Sequence, residues 1–190
     1  MQYKRIGYCI TASHCTFGRS LEVLRRLVGW GLEVLPIMSE NAYYRDTRFF
    51  VAEEFSAEVE RLTGRAVIHT VTDAEPLGPK IALDALIIAP CTGNTLAKIA
   101  CGITDTAATM AIKAHLRSDR PTLLAVATND ALSANLANIA TMLRRTSVYL
   151  VPMKQDDPSG KPHSLIADFT RLAPTLEAAL EGKQYQPLFY

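Results

Sequence analysis

Short apolar runs of strand length alternate with helical stripes along the whole chain. The runs are Ile6–Ile10, Glu33–Met38, Val67–Val71, Leu86–Ala89, Leu123–Ala127 and Val148–Val151. They are continuous rather than alternating, which is the pattern of parallel strands covered on both faces. Between them, apolar residues recur at helical spacing: Val51, Phe55, Val59 and Leu62; Leu132, Leu136, Ile139 and Leu143; and Leu165, Phe169, Leu172, Leu176 and Leu180. Each stripe reads as a helix face turned to the core. Gly64 and Gly182 fall where left-handed C-caps would end the first and last helices. The expected architecture is a doubly wound α/β sheet of about six parallel strands with helices on both faces, forming one Rossmann-like domain over residues 1–190.

Composition narrows the function classes. Of 190 residues 48% are apolar and 21% charged, ordinary for a globular domain. Such a chain buries about 70% of its extended surface and needs no disulfide or metal staple. Twenty Lys and Arg against nineteen Asp and Glu leave a net charge of +1, so nucleic acid is not an expected partner. Ala85–Ala89 is too short to span a bilayer, and Met1–Arg5 reads as a lead-in to the first strand rather than as a leader, so no membrane role and a cytoplasmic location are expected. Cys9, Cys15, Cys91 and Cys101 contain no C-x-x-C pair, so no metal site is expected.

In an open parallel sheet, ligands sit beyond the carboxyl ends of the strands. There the loops are rich in hydroxyl and amide groups. After the first run comes Thr11-Ala-Ser-His-Cys-Thr-Phe-Gly18; after the second, Ser39-Glu-Asn-Ala42; after the fourth, the turn Thr92-Gly-Asn-Thr95; and after the fifth, Thr128-Asn-Asp130. Thr11, Ser13, His14 and Thr16 at a helix start would suit a phosphate, although simple capping accounts for the same residues. No G-x-G-x-x-G and no G-x-x-x-x-G-K-[ST] occurs, which argues against a dinucleotide or ATP bound in the usual way. Gln155–His163 is a polar loop, either a lid or a plain surface segment.

The run Ala89-Pro-Cys-Thr-Gly-Asn-Thr-Leu-Ala-Lys-Ile-Ala-Cys-Gly-Ile-Thr-Asp105 resembles the A-P-x-[ST]-[AG]-N-T-x-A-K-x-A-x-G-x-x-D signature of the FMN-binding flavoproteins. This family includes cysteine decarboxylases and flavin prenyltransferases. The resemblance implies a homo-oligomeric, flavodoxin-type protein with FMN at the crevice, held by Thr11, Ser13, His14, Ser39, Thr92, Gly93, Asn94 and Thr95. Asn129 lies where the decarboxylases carry the Asn of P-x-M-N-x-x-M-W, but Val126–Ser133 lacks the Pro, both Met and the Trp, which speaks against cysteine-decarboxylase substrates.

Within the family, Thr11–Ser13, Asp73–Pro79, Met110–Arg117, Thr128–Asp130 and Tyr149–Pro158 are most similar to a branch that serves sporulation. The resemblance implies NADP-coupled oxidation of a dihydropyridine dicarboxylate to its aromatic product together with a dehydrogenase-like partner, and the missing glycine fingerprint places the NADP on that partner as an expectation. The branch implies the mother-cell cytoplasm. For such a dianion, Lys113 and Arg117, one helical turn apart, are candidate carboxylate ligands. Glu75, in the turn between Asp73 and Pro79, is a candidate base for a ring proton, with Asp130 and Asn129 as further catalytic candidates. Three functions stay open: direct flavin redox chemistry, FMN-dependent decarboxylation of a small acid, and a flavin-free partner protein with a pocket.

Overall fold

A computed structural model describes residues 5–190; the lead-in Met1–Lys4 lies outside them. The strands are β1 (Arg5–Ile10), β2 (Glu33–Met38), β3 (Ala85–Cys91), β4 (Thr122–Thr128), β5 (Val148–Leu150), β6 (Met153–Lys154) and β7 (Leu165–Ala167). The helices are α1 (Phe17–Gly29), α2 (Glu40–Tyr44), α3 (Ala52–Thr63), α4 (Val71–Ala74), α5 (Gly93–Ala100), α6 (Ala107–Leu116), α7 (Leu136–Leu143) and α8 (Leu172–Leu180). Strands β2, β1, β3 and β4 run parallel in that order, and β5 extends the sheet beside the first half of β4. The last residues of β4, Ala127 and Thr128, pair instead with antiparallel β7, which pairs with β6.

Alternate residues of each central strand feed two cores. Ile6, Tyr8, Ile10, Ile87, Leu123 and Ala125 face α1, α3 and α8, whereas Cys9, Leu86, Ile88, Leu124 and Val126 face the layer of α4 to α7. Burial on both sides is why these strands read as unbroken apolar runs. Tyr8, fully buried, places its one polar atom by donating to the Ser20 carbonyl at 3.0 Å, and the Ser20 hydroxyl donates to the Ala89 carbonyl at 2.6 Å. Gly64 and Gly182 adopt φ of 66° and 76°, the left-handed values expected after α3 and α8.

Four sequence expectations need correction. Val67–Val71 is not a strand: only Ile68 bridges to Ile37 of β2, and Thr70 then caps α4 by accepting the Asp73 N–H. A cap two residues after the bridge ends any extension. Val51 precedes α3 as its exposed N-cap, while Phe55 and Val59 are buried as expected. Leu165 belongs to β7, and the last helix begins only at Leu172. On α7 the buried residues are Ile139 and Met142, so Leu132, Leu136 and Leu143 are 38%, 49% and 37% exposed. The turns of residues 130–135 take Leu132 off the helix, and the buried line of α7 is rotated away from Leu136 and Leu143.

Candidate active-site crevice

The carboxyl ends of β1, β3 and β4 open onto a crevice of about 310 Å³. It lies at the point where the chain, having placed β2 on one side of β1, places β3 on the other, the position at which open α/β sheets bind ligands. Ser13 and Thr16 line it after β1, Thr92, Gly93 and Asn94 after β3, and Thr128 and Asn129 after β4. Its far wall is Asp156 and Lys161 of the polar loop, Ser164 after it, and Leu165 and Ile166 of β7.

A buried hydroxyl ties the loops together. Thr11, 1% exposed, donates to the Pro90 carbonyl at 2.8 Å and accepts the Thr92 N–H at 2.9 Å. Thr92 in turn caps α5, accepting the Thr95 N–H at 3.3 Å, and its hydroxyl donates to Thr95 Oγ1 at 3.0 Å. The first turn of α5 therefore presents N–H groups without intrahelical acceptors at the crevice, a favourable place for an anion. Gly93 is pressed onto the β4 loop, and a Cβ there would fall inside normal contact distance of Thr128 Oγ1, Asn135 Nδ2 and Asp130 Oδ1.

Behind the crevice, Asp130 accepts hydrogen bonds from the Thr128 hydroxyl and, at 2.9 Å, from Asn135 Nδ2. The Thr128 bond, followed by that of Asn135, holds its carboxyl below the usual carboxylate range. In this geometry Asp130 braces the loop after β4 from behind the crevice instead of lining it. Ser164 stitches the polar loop down, donating to Asp156 at 2.7 Å and approaching Asn129 Oδ1 at 3.5 Å. Its hydroxyl is the main reason that the Asp156 carboxyl is also held low, and Lys161 Nζ lies 3.3 Å from Asp156. Among the described residues Lys161 is the one cation lining the crevice.

Of the residues expected from sequence, the structure brings Ser13, Thr92, Gly93, Asn94 and Asn129 together at the crevice. Thr11, Thr95 and Asp130 support these from behind. Ser39 starts α2 on the β2 side, where its carbonyl accepts from Ala42 and Tyr43. His14 turns toward the same side, its ring 4.9 Å from that of Phe17 and its Nε2 buried without a partner; burial lowers its pKa. Cys91 is fully buried, which pushes its thiol up to about 12, so it packs as a small apolar side chain.

Besides Ser39 and His14, three expected residues do not reach the crevice. Glu75 is exposed at the end of α4, which packs on α6. Lys113 and Arg117 share a helix face as expected, but that face borders a different cavity. The spacing was right and the direction wrong, because the order of the strands and the packing of α6 decide where its outer face points. Lys161 and Asp156 were missed as site residues; the only signal was the polar loop that contains them.

The Flavoprotein family model matches residues 1–167. The chain belongs to the Flavoprotein family. It is 41% identical to the B subunit of dipicolinate synthase from Bacillus subtilis (strain 168) over 185 residues, 97% of this chain and 92% of that protein. The crystal structure of the corresponding B subunit from Bacillus halodurans superposes with a TM-score of 0.90 at 38% identity, covering 98% of this chain and 96% of that one. The FMN-dependent cysteine decarboxylase SpaF shares the fold, with a TM-score of 0.70 at 24% identity over 94% of this chain and 97% of that one. No helix among the described residues is long and apolar enough to cross a membrane.

Proposed function

We propose that this flavoprotein-family chain is the B subunit of a dipicolinate synthase. With the dehydrogenase-like A subunit of dipicolinate synthase, it oxidises dihydrodipicolinate to dipicolinate during sporulation, in the mother-cell cytoplasm, and NADP is carried by the partner. The observation that carries this reading is likeness to dipicolinate synthase B subunits along nearly the whole chain. A homo-oligomer of this chain is part of the proposal.

The residues of the crevice fit FMN as its cofactor. The N–H groups opening α5 and the hydroxyls of Ser13, Thr16 and Thr92 form a donor set suited to a phosphate and a polyol chain, and Leu165 and Ile166 offer an apolar wall. When bound, a flavin supplies a two-electron acceptor. The substrate is a dicarboxylate, so the chain must also hold negative charge. Lys161 does this by exchanging its contact with Asp156 for a substrate carboxylate, and Asn129 and Asn94 orient the ring by amide hydrogen bonds.

Reconstitution tests the reading. Mixed with the dehydrogenase-like partner, dihydrodipicolinate and NADP⁺, the chain supports NADPH formation that neither protein gives on its own. An equal rate from the dehydrogenase-like partner without this chain makes this chain a passive companion. Release of carbon dioxide from a small acid by a yellow, isolated chain favours a flavin-dependent decarboxylase, the chemistry of SpaF.

A further inference from the structure

A second cavity, of about 300 Å³, lies against α6 and shares no lining residue with the crevice. Its floor is apolar, from Ile99, Ile103, Ile112 and Leu116. Three cations border it: Lys113 and Arg117 on α6 and its C-terminal end, and Arg145 beyond the end of α7. Among the described residues, no Asp or Glu lines it. None of the three cations makes an ion pair or a side-chain hydrogen bond among the described residues, whereas the nearby Lys98 is occupied by Asp105 at 2.8 Å.

Unpaired surface cations are ordinary, and so are small apolar hollows. Their coincidence is informative, since like charges converging on one rim repel unless an anion joins them. A hollow of this volume is at the small end of ligand sites, and its apolar floor of four side chains is matched to one ring with short substituents. An apolar body with carboxylate at its edge satisfies both features, the ring on the isoleucines and the charge on the guanidinium and ammonium groups.

We propose that this cavity is a binding site for a single-ring aromatic carboxylate, separate from the crevice and held by Lys113, Arg117 and Arg145. The site stands whether or not the dipicolinate synthase reading holds, since its argument uses only the cavity and its charges.

Equilibrium titration of the full-length chain tests it, with benzoate as the probe. Benzoate binds saturably, weakens as salt is raised, and is not mimicked by benzyl alcohol, which has the ring without the charge. The pair Lys113→Ala and Arg117→Ala weakens that binding by at least about tenfold, the loss of one charge-assisted bond or more. Lys113→Arg with Arg117→Lys restores most of it, and Lys161→Ala, in the crevice, leaves it unchanged. Absence of saturable benzoate binding overturns the proposal. So does binding that survives the double alanine variant, or that disappears with Lys161→Ala.

Discussion

Two hollows of nearly equal volume, about 310 and 300 Å³, are built on opposite plans. The crevice is made of loop ends whose polar groups are largely bound to one another: Thr11 to Pro90 and Thr92, Asp130 to Thr128 and Asn135, Ser164 to Asp156. The α6 cavity is an apolar floor rimmed by long exposed cations that have no side-chain partners among the described residues. In the first, the groups that shape the site also hold the fold together. In the second, they hold nothing, so binding there can be changed without changing stability.

The sharpest way to break this contrast is Gly93→Ala. The added methyl meets Thr128, Asn135 and Asp130 and must displace the polar knot behind the crevice. Overpacking of this kind costs about 1–3 kcal/mol, and we expect the upper part of that range, measured by chemical denaturation, together with loss of the reconstituted activity. Full stability and activity in this variant would mean that the knot yields freely.

Thr11→Val comes next. It keeps the shape of the side chain but leaves the half-buried Thr92 N–H without its acceptor, at a cost of about 1 kcal/mol in the same measurement.

His115, on the buried side of α6, gives a smaller and pH-dependent effect. It is fully buried; Nε2–H donates to the Pro121 carbonyl at 3.1 Å, Nδ1 has no partner, and burial lowers its pKa. Below the unfolded value of about 6.5, the unfolded chain takes up a proton that the folded chain refuses. Stability therefore falls as pH drops from there toward the folded value, by up to about 1.4 kcal/mol per pH unit. His115→Gln keeps a donor for Pro121 and flattens this part of the profile relative to the unmodified protein. Equal slopes in the two proteins would show that His115 is not the group responsible.

The smallest stability effects come from the cations. Lys161→Ala, Lys113→Ala and Arg117→Ala each change the unfolding free energy by less than about 0.5 kcal/mol, because all three side chains are largely solvated. They differ in what they bind. Lys161→Ala raises the KM for dihydrodipicolinate by about tenfold in the assembled enzyme, and the α6 variants leave it unchanged.

Local pattern carried the strands and the first ring of the crevice. A continuous apolar run followed by hydroxyl and amide residues is visible in any one segment, and the parallel sheet gathers these turns at one rim, so Ser13, Thr92, Gly93, Asn94 and Asn129 were legible. Features that depend on a distant partner were not. Val67–Val71 has strand composition, but only Ile68 finds a pairing partner on β2. Leu132, Leu136, Ile139 and Leu143 have a clear helical period, yet the period does not say which part of the stripe meets the sheet, and only Ile139 is buried. β6 and β7 are too short to announce themselves, and without them the polar loop has no reason to face the crevice.

By itself, then, the sequence determined the alternation of buried strands with amphipathic helices and the chemistry of the turns that follow the strands. These rest on backbone periodicity and on residues close along the chain. Only the tertiary structure decided that Lys161 faces the crevice while Lys113 and Arg117 face another cavity, and that Asp130 sits behind the crevice, bonded to Thr128 and Asn135. Side-chain spacing sets which residues share a helix face, but the direction of that face is fixed by strand order and by packing against elements far away in the chain.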